Sequence, residues 1–252
     1  MARQPRERSS TGIYHVMLRG INHHTIFEDD VDFQRYLKTL MDYQEKLDYS
    51  IYAYCLMDNH VHLLIKEGSE ELSKVFQTLA ASFVYWYNKK YEREGQLFQG
   101  RFRSEAVDND EYFLVVTRYI HQNPVKAGIV ENAEDYMWSS YREYIGKPSI
   151  CDIDFGLDII DPNRQRALAT FIKYNSKENQ DSCLDNDQDI RLSDSEAREI
   201  IMKIGNIKSP DEAINLDKKV RTKLIKACKE EGIYARQISR LTGISRGIVK
   251  RI

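Results

Sequence analysis

The chain lacks the features that mark several classes of protein. It has no C-x-x-C pair among its four cysteines, so a cysteine zinc site is not predicted, and free thiols are expected in a reducing cytoplasm. No window approaches the length of apolar residues that a membrane-spanning helix needs, so no membrane partner is predicted. The basic start, MARQPRERSS, has no apolar stretch after it, and we do not expect a signal peptide.

A net charge of one sign is also missing, since 37 Lys and Arg stand against 39 Asp and Glu. The charge is nevertheless unevenly spread. Residues 216–252 carry eleven basic and three acidic side chains, whereas residues 150–190 carry four and nine. This asymmetry indicates separate roles for the two segments.

Hydrophobic periodicity predicts strands and helices in the order β-α-β-β-α-β over the first half of the chain. The predicted segments are IYHVMLR, DDVDFQRYLKTLMDYQEKL, SIYAYCLM, HVHLLIKE, SEELSKVFQTLAASFVYWYNKKY (capped by Ser69) and RFRSEAVD. That order is the one of a ferredoxin-like antiparallel sheet in an α+β fold. A further helix, NDEYFLVVTRYIHQ, is predicted to end before Pro124, because proline disfavours helix at Asn123.

The rest of the chain is predicted to form two more regions. Residues 148–190 are interpreted as an acidic linker with one short docking helix that opens at Asp161-Pro162. Residues 191–252 are interpreted as a small all-α module. Its helices are predicted to begin at two capping boxes, Ser193-x-x-Glu196 and Ser209-x-x-Glu212.

The end of this module has the spacing of a helix-turn-helix. The amphipathic segment LDKKVRTKLIKACKEEG ends at Gly232, and YARQISRLTGISRGIVKRI then gives a helix, a turn at Thr242-Gly243, a Ser245 cap and a short basic helix. The candidate residues for duplex DNA binding are Ser245, Arg246, Lys250 and Arg251. The open alternative is a plain helical bundle.

The stretch DNHVHLLI places His60 and His62 one residue apart in an apolar strand. Side chains alternate along a strand, so the two imidazoles project from the same face. Such a pair is a good start for a divalent metal site. The alternative is that they are ordinary polar residues on a solvated face.

A second pair lies in RYIHQNP, where Tyr119 and Asn123 are four residues apart and share one helical face. Asn123 is a candidate oxygen ligand for a metal, and Tyr119 is a candidate nucleophile beside it. The alternatives are ordinary, since most of the 16 tyrosines are expected to be structural and asparagine before proline often ends a helix.

Five stretches of the chain resemble the single-tyrosine HUH transposases, and most of all the REP-associated tyrosine transposases. These stretches are YHVMLRGINHHTIF, MDNHVHLLI, LFQGRF, RYIHQNPVKAGIV and WSSYREYIG. The resemblance covers residues 11–146 and assigns residues 1–147 to an HUH nuclease domain, in which the tyrosine-bearing helix packs on a ferredoxin-like sheet. It implies Mg²⁺ or Mn²⁺ on His60, His62 and Asn123, although some relatives carry glutamine at the last position, and Tyr119 as the nucleophile.

The resemblance also implies a reaction and a substrate. The enzyme would be a transposase that cleaves single-stranded DNA, often beside a hairpin, and keeps the strand as a 5′-phosphotyrosine for rejoining. Relatives include monomers and homodimers. Candidate contacts to this DNA are basic residues near the predicted site: Arg19, Arg101, Arg103, Arg118 and Lys126.

Two other functions remain open. The chain could be a domesticated DNA-binding regulator without catalysis, although the presence of all four expected site residues argues against lost chemistry. It could also be a metal hydrolase that uses the histidine pair with water as the nucleophile. That enzyme would form no covalent adduct and would not need Tyr119.

Overall fold

The structure is a computed structural model of the chain, and it describes residues 7–146, 148–181, 183–184, 192 and 194–252. The described residues form two compact units. The first unit lies within Met1–Val125 and Val130–Asp185, and the second within Lys126–Ile129 and Asn186–Ile252.

The first unit is built on an antiparallel sheet in the order β2-β3-β1-β4. Its strands are β1 (Ile13–Arg19), β2 (Tyr49–Met57), β3 (His60–Glu67) and β4 (Arg103–Ala106). The first and third strands are each followed by a long helix, α1 (Asp30–Gln44) and α2 (Leu72–Lys90). This order and connectivity confirm the predicted ferredoxin-like fold.

Local hydrogen bonds set the ends of these elements. The Asp29 side chain accepts from the backbone N–H groups of Val31 and Asp32, which starts α1 with a reciprocal capping box. The predicted Ser69 cap of α2 is wrong. The N-cap residue is Glu71, without a side-chain cap bond, and Ser69 lies before the helix, where its backbone N–H donates to Oδ2 of Asp48.

Both faces of strand β3 are buried over most of its length. Val61, Leu63 and Ile65 are fully inaccessible on one face of β3, and His62 and Leu64 are equally inaccessible on the other. Close-packed aromatic rings contribute to the core of this unit, among them Phe27, Phe33, Tyr36, Phe83 and Trp138. A strand covered on both faces is held firmly in position, which matters for any site built on it.

Helix α3 (Asp110–Lys126) runs through Pro124, so the predicted end before that proline is wrong. Proline removes one backbone hydrogen bond from a helix. Two features of the last turn compensate for this lost hydrogen bond. Pro124 is buried, and the Asn123 side chain donates to the carbonyl of Tyr119. The helix therefore carries Tyr119 and Asn123 on one continuous face.

Residues 148–181 are folded into the first unit, which differs from the linker interpretation. They contain α5 (Ile153–Ile160) and α6 (Arg164–Asn175), after α4 (Tyr141–Ile145). Phe171 of α6 is buried and stacks on Tyr144 at 4.5 Å between ring centroids. Helix α6 begins after Asn163, whose side chain caps it, rather than at Pro162. Residues 182 and 185–190 of the predicted linker lie outside the described part.

The second unit is helical, as predicted, and encloses a small apolar core. Its helices are α7 (Asp194–Gly205), α8 (Lys218–Glu230), α9 (Ala235–Thr242) and α10 (Arg246–Arg251), with a 3₁₀ helix over Pro210–Asn215. The core contains Ile201, Ile225, Ile238, Leu241 and Val249. No helix among the described residues of either unit is long and apolar enough to cross a membrane.

The chain from α9 to α10 forms a helix, a turn, a cap and a second helix in the predicted order. Gly243 ends α9 in a left-handed conformation (φ 70°), which glycine adopts without strain, and Ser245 is the N-cap of α10. The capping box at Ser209 is not formed, because its side chain makes no cap bond, although Pro210 opens the helix as expected. Ser193 of the other box lies outside the described residues.

Candidate active site

The register of three strands brings the histidine pair and two arginines onto one face of the sheet. Arg19 lies opposite His60 and Met17 lies opposite His62 in the β1–β3 ladder, while Arg103 lies opposite Met17 in the β1–β4 ladder. Directly opposite residues of an antiparallel pair project from the same face. We call this surface, with Arg19, His60, His62 and Arg103, the histidine face.

The two imidazoles are buried, and each is anchored through Nδ1. Nδ1 of His60 donates to Oδ1 of Asn59 at 2.8 Å, since an amide oxygen can only accept. Nδ1 of His62 is 3.0 Å from Nε2 of His15. The rings of His60 and His62 are perpendicular, with 4.9 Å between centroids. In both rings, Nε2 is the nitrogen on the side opposite these anchors.

Helix α3 carries Tyr119 onto this face. Its ring meets the ring of His62 edge-on at 5.7 Å between centroids, and it meets the ring of His15 at the same distance. Tyr119 is only 4% exposed. The structure therefore brings together the predicted nucleophile and one of the predicted metal ligands.

Asn123 lies one helical turn beyond Tyr119 and is half-buried. Its Nδ2 donates to the Tyr119 carbonyl at 3.2 Å, so its Oδ1 is directed away from that carbonyl. Among the described residues, no group of three or more His, Cys, Asp and Glu side chains is arranged to hold a metal. A site on His60 and His62 therefore needs another kind of donor, and an amide oxygen suits Mg²⁺ or Mn²⁺.

His15 and Glu105 also belong to this site, and sequence reasoning missed both. His15 is fully buried between His62 and Glu105, with its Nδ1 3.9 Å from Oε2 of Glu105. Burial, and next the neighbouring His62, lower the pKa of His15 well below its usual 6.5. The available signal was the two-residue alternation along β1, which places His15 on the same face as Met17 and Arg19.

The predicted DNA contacts in the first unit fall into two groups. Arg101 and Arg103 are exposed and Arg19 is half-buried, hydrogen-bonded to His23. Phe102, between the two exposed arginines, is not available for base stacking, because it packs on Phe76 with 4.5 Å between centroids.

Arg118 has a partner within the protein. Its guanidinium donates two bonds to the carboxylate of Asp181, at 2.7 and 2.9 Å, and lies 3.9 Å from the ring centre of Tyr174. Only 11% of its side chain is exposed. A DNA contact by Arg118 would have to break this pair, so its geometry indicates a structural role.

The remaining predicted contacts lie on exposed surfaces. Lys126 is exposed at the end of α3. In the second unit Ser245, Lys250 and Arg251 are exposed and Arg246 is half-buried. All four belong to α10 or its N-cap.

Comparisons with known proteins agree on one family. The model of a family described as IS200-like transposases matches residues 8–123. A protein of Haemophilus influenzae described as a REP-associated tyrosine transposase is 27% identical over 123 residues, which are 44% of this chain and 69% of that protein. The REP-associated tyrosine transposase of Escherichia coli strain K12 is 24% identical over 115 residues, 45% of this chain and 66% of that one. The chain thus spans about two thirds of the length of these curated relatives.

A solved structure shares the fold. It is described as a REP-associated tyrosine transposase bound to a REP hairpin, and it superposes with a TM-score of 0.52 at 19% identity. The likeness covers 65% of this chain and 96% of the other. At this identity the comparison speaks for the fold and not for the substrate.

Proposed function

We propose that the protein, whose residues 8–123 match the model of a family described as IS200-like transposases, cleaves and rejoins single-stranded DNA through Tyr119. The strand would be held between the two steps as a 5′-phosphotyrosine. The observation that carries the proposal is the contact between the rings of Tyr119 and His62 on the histidine face. A hydrolase with a water nucleophile would have no need of a tyrosine at this place.

The cleavage step is a transesterification. The phenol oxygen of Tyr119 forms a bond to phosphorus while the bond from phosphorus to the 3′ oxygen breaks, and the phenol proton is transferred, in net terms, to the departing 3′ oxygen. Rejoining reverses these changes with a 3′-hydroxyl as the attacking group. No external oxidant or energy source is needed, because one phosphodiester replaces another.

His60, His62 and Asn123 would hold a divalent cation through Nε2, Nε2 and Oδ1. When bound, Mg²⁺ or Mn²⁺ supplies a Lewis acid for a non-bridging oxygen of the scissile phosphate. The anchoring of each histidine through Nδ1 supports this role, since ligand histidines usually donate their other nitrogen to the protein.

The arginines of the histidine face would neutralise the DNA backbone. Arg19 lies directly opposite His60 in the β1–β3 ladder. Arg103 is exposed on the neighbouring strand β4, opposite Met17 of β1. Guanidinium groups bind phosphate oxygens in a bidentate manner, which positions a strand without selecting its sequence. We propose a hairpin-containing single strand as the substrate, on the basis of the family and of these two arginines of the histidine face.

The second unit would add duplex binding through α10. Ser245, Arg246, Lys250 and Arg251 lie together at the end of the α9–α10 pair, where a helix-turn-helix contacts the major groove. This unit would place the enzyme on the DNA that flanks the cleaved strand.

The test is a search for the covalent intermediate. Labelled hairpin oligonucleotides from the DNA that flanks the gene are incubated with the protein and Mn²⁺ and resolved on a denaturing gel. We expect a protein–DNA adduct that disappears with a chelator and in Tyr119→Phe. Tyr85→Phe, which changes a tyrosine that is 75% exposed on α2, is the matched control and should form the adduct normally.

Two other results would overturn the proposal. Metal-dependent cleavage that persists in Tyr119→Phe, without any adduct, would identify a hydrolase. Tight DNA binding without cleavage of any oligonucleotide that is bound would identify a regulator.

A further inference from the structure

A third histidine, His15, contacts His62 of the pair that the proposed function uses. We infer that His15, directed by Glu105, is a positioning residue that fixes the tautomer and the orientation of the His62 ring. The inference rests on the proposed role of His62 as a metal ligand. It concerns residues for which neither the sequence motif nor the family comparison supplies a role.

The contacts form a short relay across three strands. His15 of β1 lies opposite Glu105 of β4, and Nδ1 of His15 is 3.9 Å from Oε2 of Glu105. On its other side, Nε2 of His15 is 3.0 Å from Nδ1 of His62 on β3. Both imidazoles are fully buried, so water does not compete for this bond.

The carboxylate at the start of the relay is held in place. Oε2 of Glu105 accepts from the backbone N–H of Leu184 at 3.0 Å, and the hydroxyl of Tyr112 also bonds to Glu105. Glu105 therefore presents a fixed negative charge to the Nδ1 side of His15. Among the described residues, Nδ1 of His15 has no hydrogen-bond partner. The Glu105 carboxylate lies 3.9 Å from it.

This charge selects one direction for the bond between the two imidazoles. A neutral imidazole carries one N–H and one lone pair. If His15 carries its proton on Nδ1, the N–H dipole points toward the carboxylate and Nε2 offers a lone pair to His62. The opposite tautomer would direct a lone pair toward the carboxylate, which is unfavourable because the His15 ring itself is fully buried.

The consequence reaches the proposed metal site. With His15 as the acceptor, Nδ1 of His62 is the donor, and the lone pair of His62 must lie on Nε2. This is the form in which His62 can act as a ligand. Without His15, the His62 ring could turn about its side-chain bonds or move its proton to Nε2. Either change would remove the Nε2 lone pair from the proposed metal site.

The first measurement is the tautomer of His62 and His15 in the metal-free wild-type protein, from long-range ¹⁵N–¹H correlation spectra of the imidazoles. We expect the protonated nitrogen to be Nδ1 in both rings. A proton on Nε2 of His62, or of His15, would overturn the inference. This readout needs no variant, no metal and no catalytic activity.

The second measurement is Mn²⁺ affinity by titration calorimetry, without DNA. His15→Leu should weaken binding about 10- to 100-fold, the loss that is usual when a ligand histidine loses its partner. His15→Gln should lose much less, because its amide oxygen can accept from Nδ1 of His62. The matched control is His121→Gln, which alters another fully buried histidine that bonds to Ser140 instead, and it should bind Mn²⁺ as the wild type does.

The outcomes separate this inference from the proposed function. Wild-type affinity in folded His15→Leu would overturn the positioning role while the metal site stands. A wild-type protein that does not bind Mn²⁺ would instead remove the metal from the proposed function, and the tautomer measurement would still decide the role of His15.

Discussion

The ring of Tyr119 lies edge-on against the ring of His62 of the same chain, with 5.7 Å between centroids. The helix that carries Tyr119 and the strand that carries His62 both belong to the first unit. One chain therefore contains a complete set of the predicted groups. Under the proposed function, Tyr119 and the histidine that it contacts therefore work within one chain.

This arrangement predicts that two defective chains will not restore each other. Tyr119→Phe and His62→Ala should each form no adduct, and an equimolar mixture should form none either, because neither chain then has both groups. Adduct yield on a denaturing gel is the measurement. Recovery toward a quarter of the wild-type yield in the mixture would show that the tyrosine helix is exchanged between chains.

Asn123 is expected to contribute one oxygen to the cation. Asn123→Ala should weaken Mn²⁺ binding about tenfold, which corresponds to about 1.4 kcal/mol. Asn123→Asp is the matched variant, since it keeps an oxygen at the same place and adds a negative charge, and it should retain the affinity. Titration calorimetry decides the point, and equal affinity in all three proteins would remove Asn123 from the ligand set.

Replacing Arg118 is expected to lower the stability of the protein, whereas replacing Arg103 is expected to weaken DNA binding. Arg118→Ala leaves the mostly buried carboxylate of Asp181 without its two bonds, so the free energy of unfolding should fall by about 2 kcal/mol. Arg103→Ala removes an exposed side chain and should weaken single-stranded DNA binding with little loss of stability.

Urea unfolding and fluorescence anisotropy measure the two effects separately. The reverse pattern, with stable Arg118→Ala protein that binds DNA poorly, would restore Arg118 to the DNA surface.

Buried histidines predict that the protein loses stability in acid. Burial lowers the pKa of His121 to about 3, while the same group in the unfolded chain has a pKa near 6.5. The unfolded state therefore binds the extra proton first. The stability that neutral His121 supports is complete above pH 6.5 and is lost as the pH falls toward 3, at up to about 1.4 kcal/mol per pH unit.

The check compares His121→Gln with the wild type. Between pH 7 and pH 5 the wild type should lose about 2 kcal/mol more than the variant, measured by urea unfolding at each pH. His15, whose pKa is also lowered, acts in the same direction in both proteins. Parallel curves for the two proteins would contradict the prediction.

The α10 helix should show its role in the salt dependence of duplex binding. Replacing both Lys250 and Arg251 by alanine removes up to two phosphate contacts, so the slope of log K against log salt should fall by about 1.8. The control removes two exposed charges of the same unit, Lys218 and Lys219 at the start of α8. An equal change in both double variants would reduce the effect to net charge.

Periodicity and turn chemistry in the sequence were sufficient for the sheet. The strand His60–Glu67 was predicted at its observed bounds, because hydrophobic periodicity is a local signal that tertiary contacts reinforce here. The same alternation placed His60 and His62 on one face, and the four-residue spacing placed Tyr119 and Asn123 on one side of a helix. The sequence also indicated the family through these motifs.

Only the tertiary structure decided which elements meet. Strand register joined Arg19, Arg103, His15 and Glu105 to the histidine face, and register depends on pairing between strands that are distant in the chain. The end of α3 was mispredicted because the burial of Pro124 outweighs its local preference. Residue type alone predicted Arg118 to contact DNA, whereas the fold pairs it with Asp181, 63 residues away. A side chain's type is local information, but its partners are set by the packing of the whole unit.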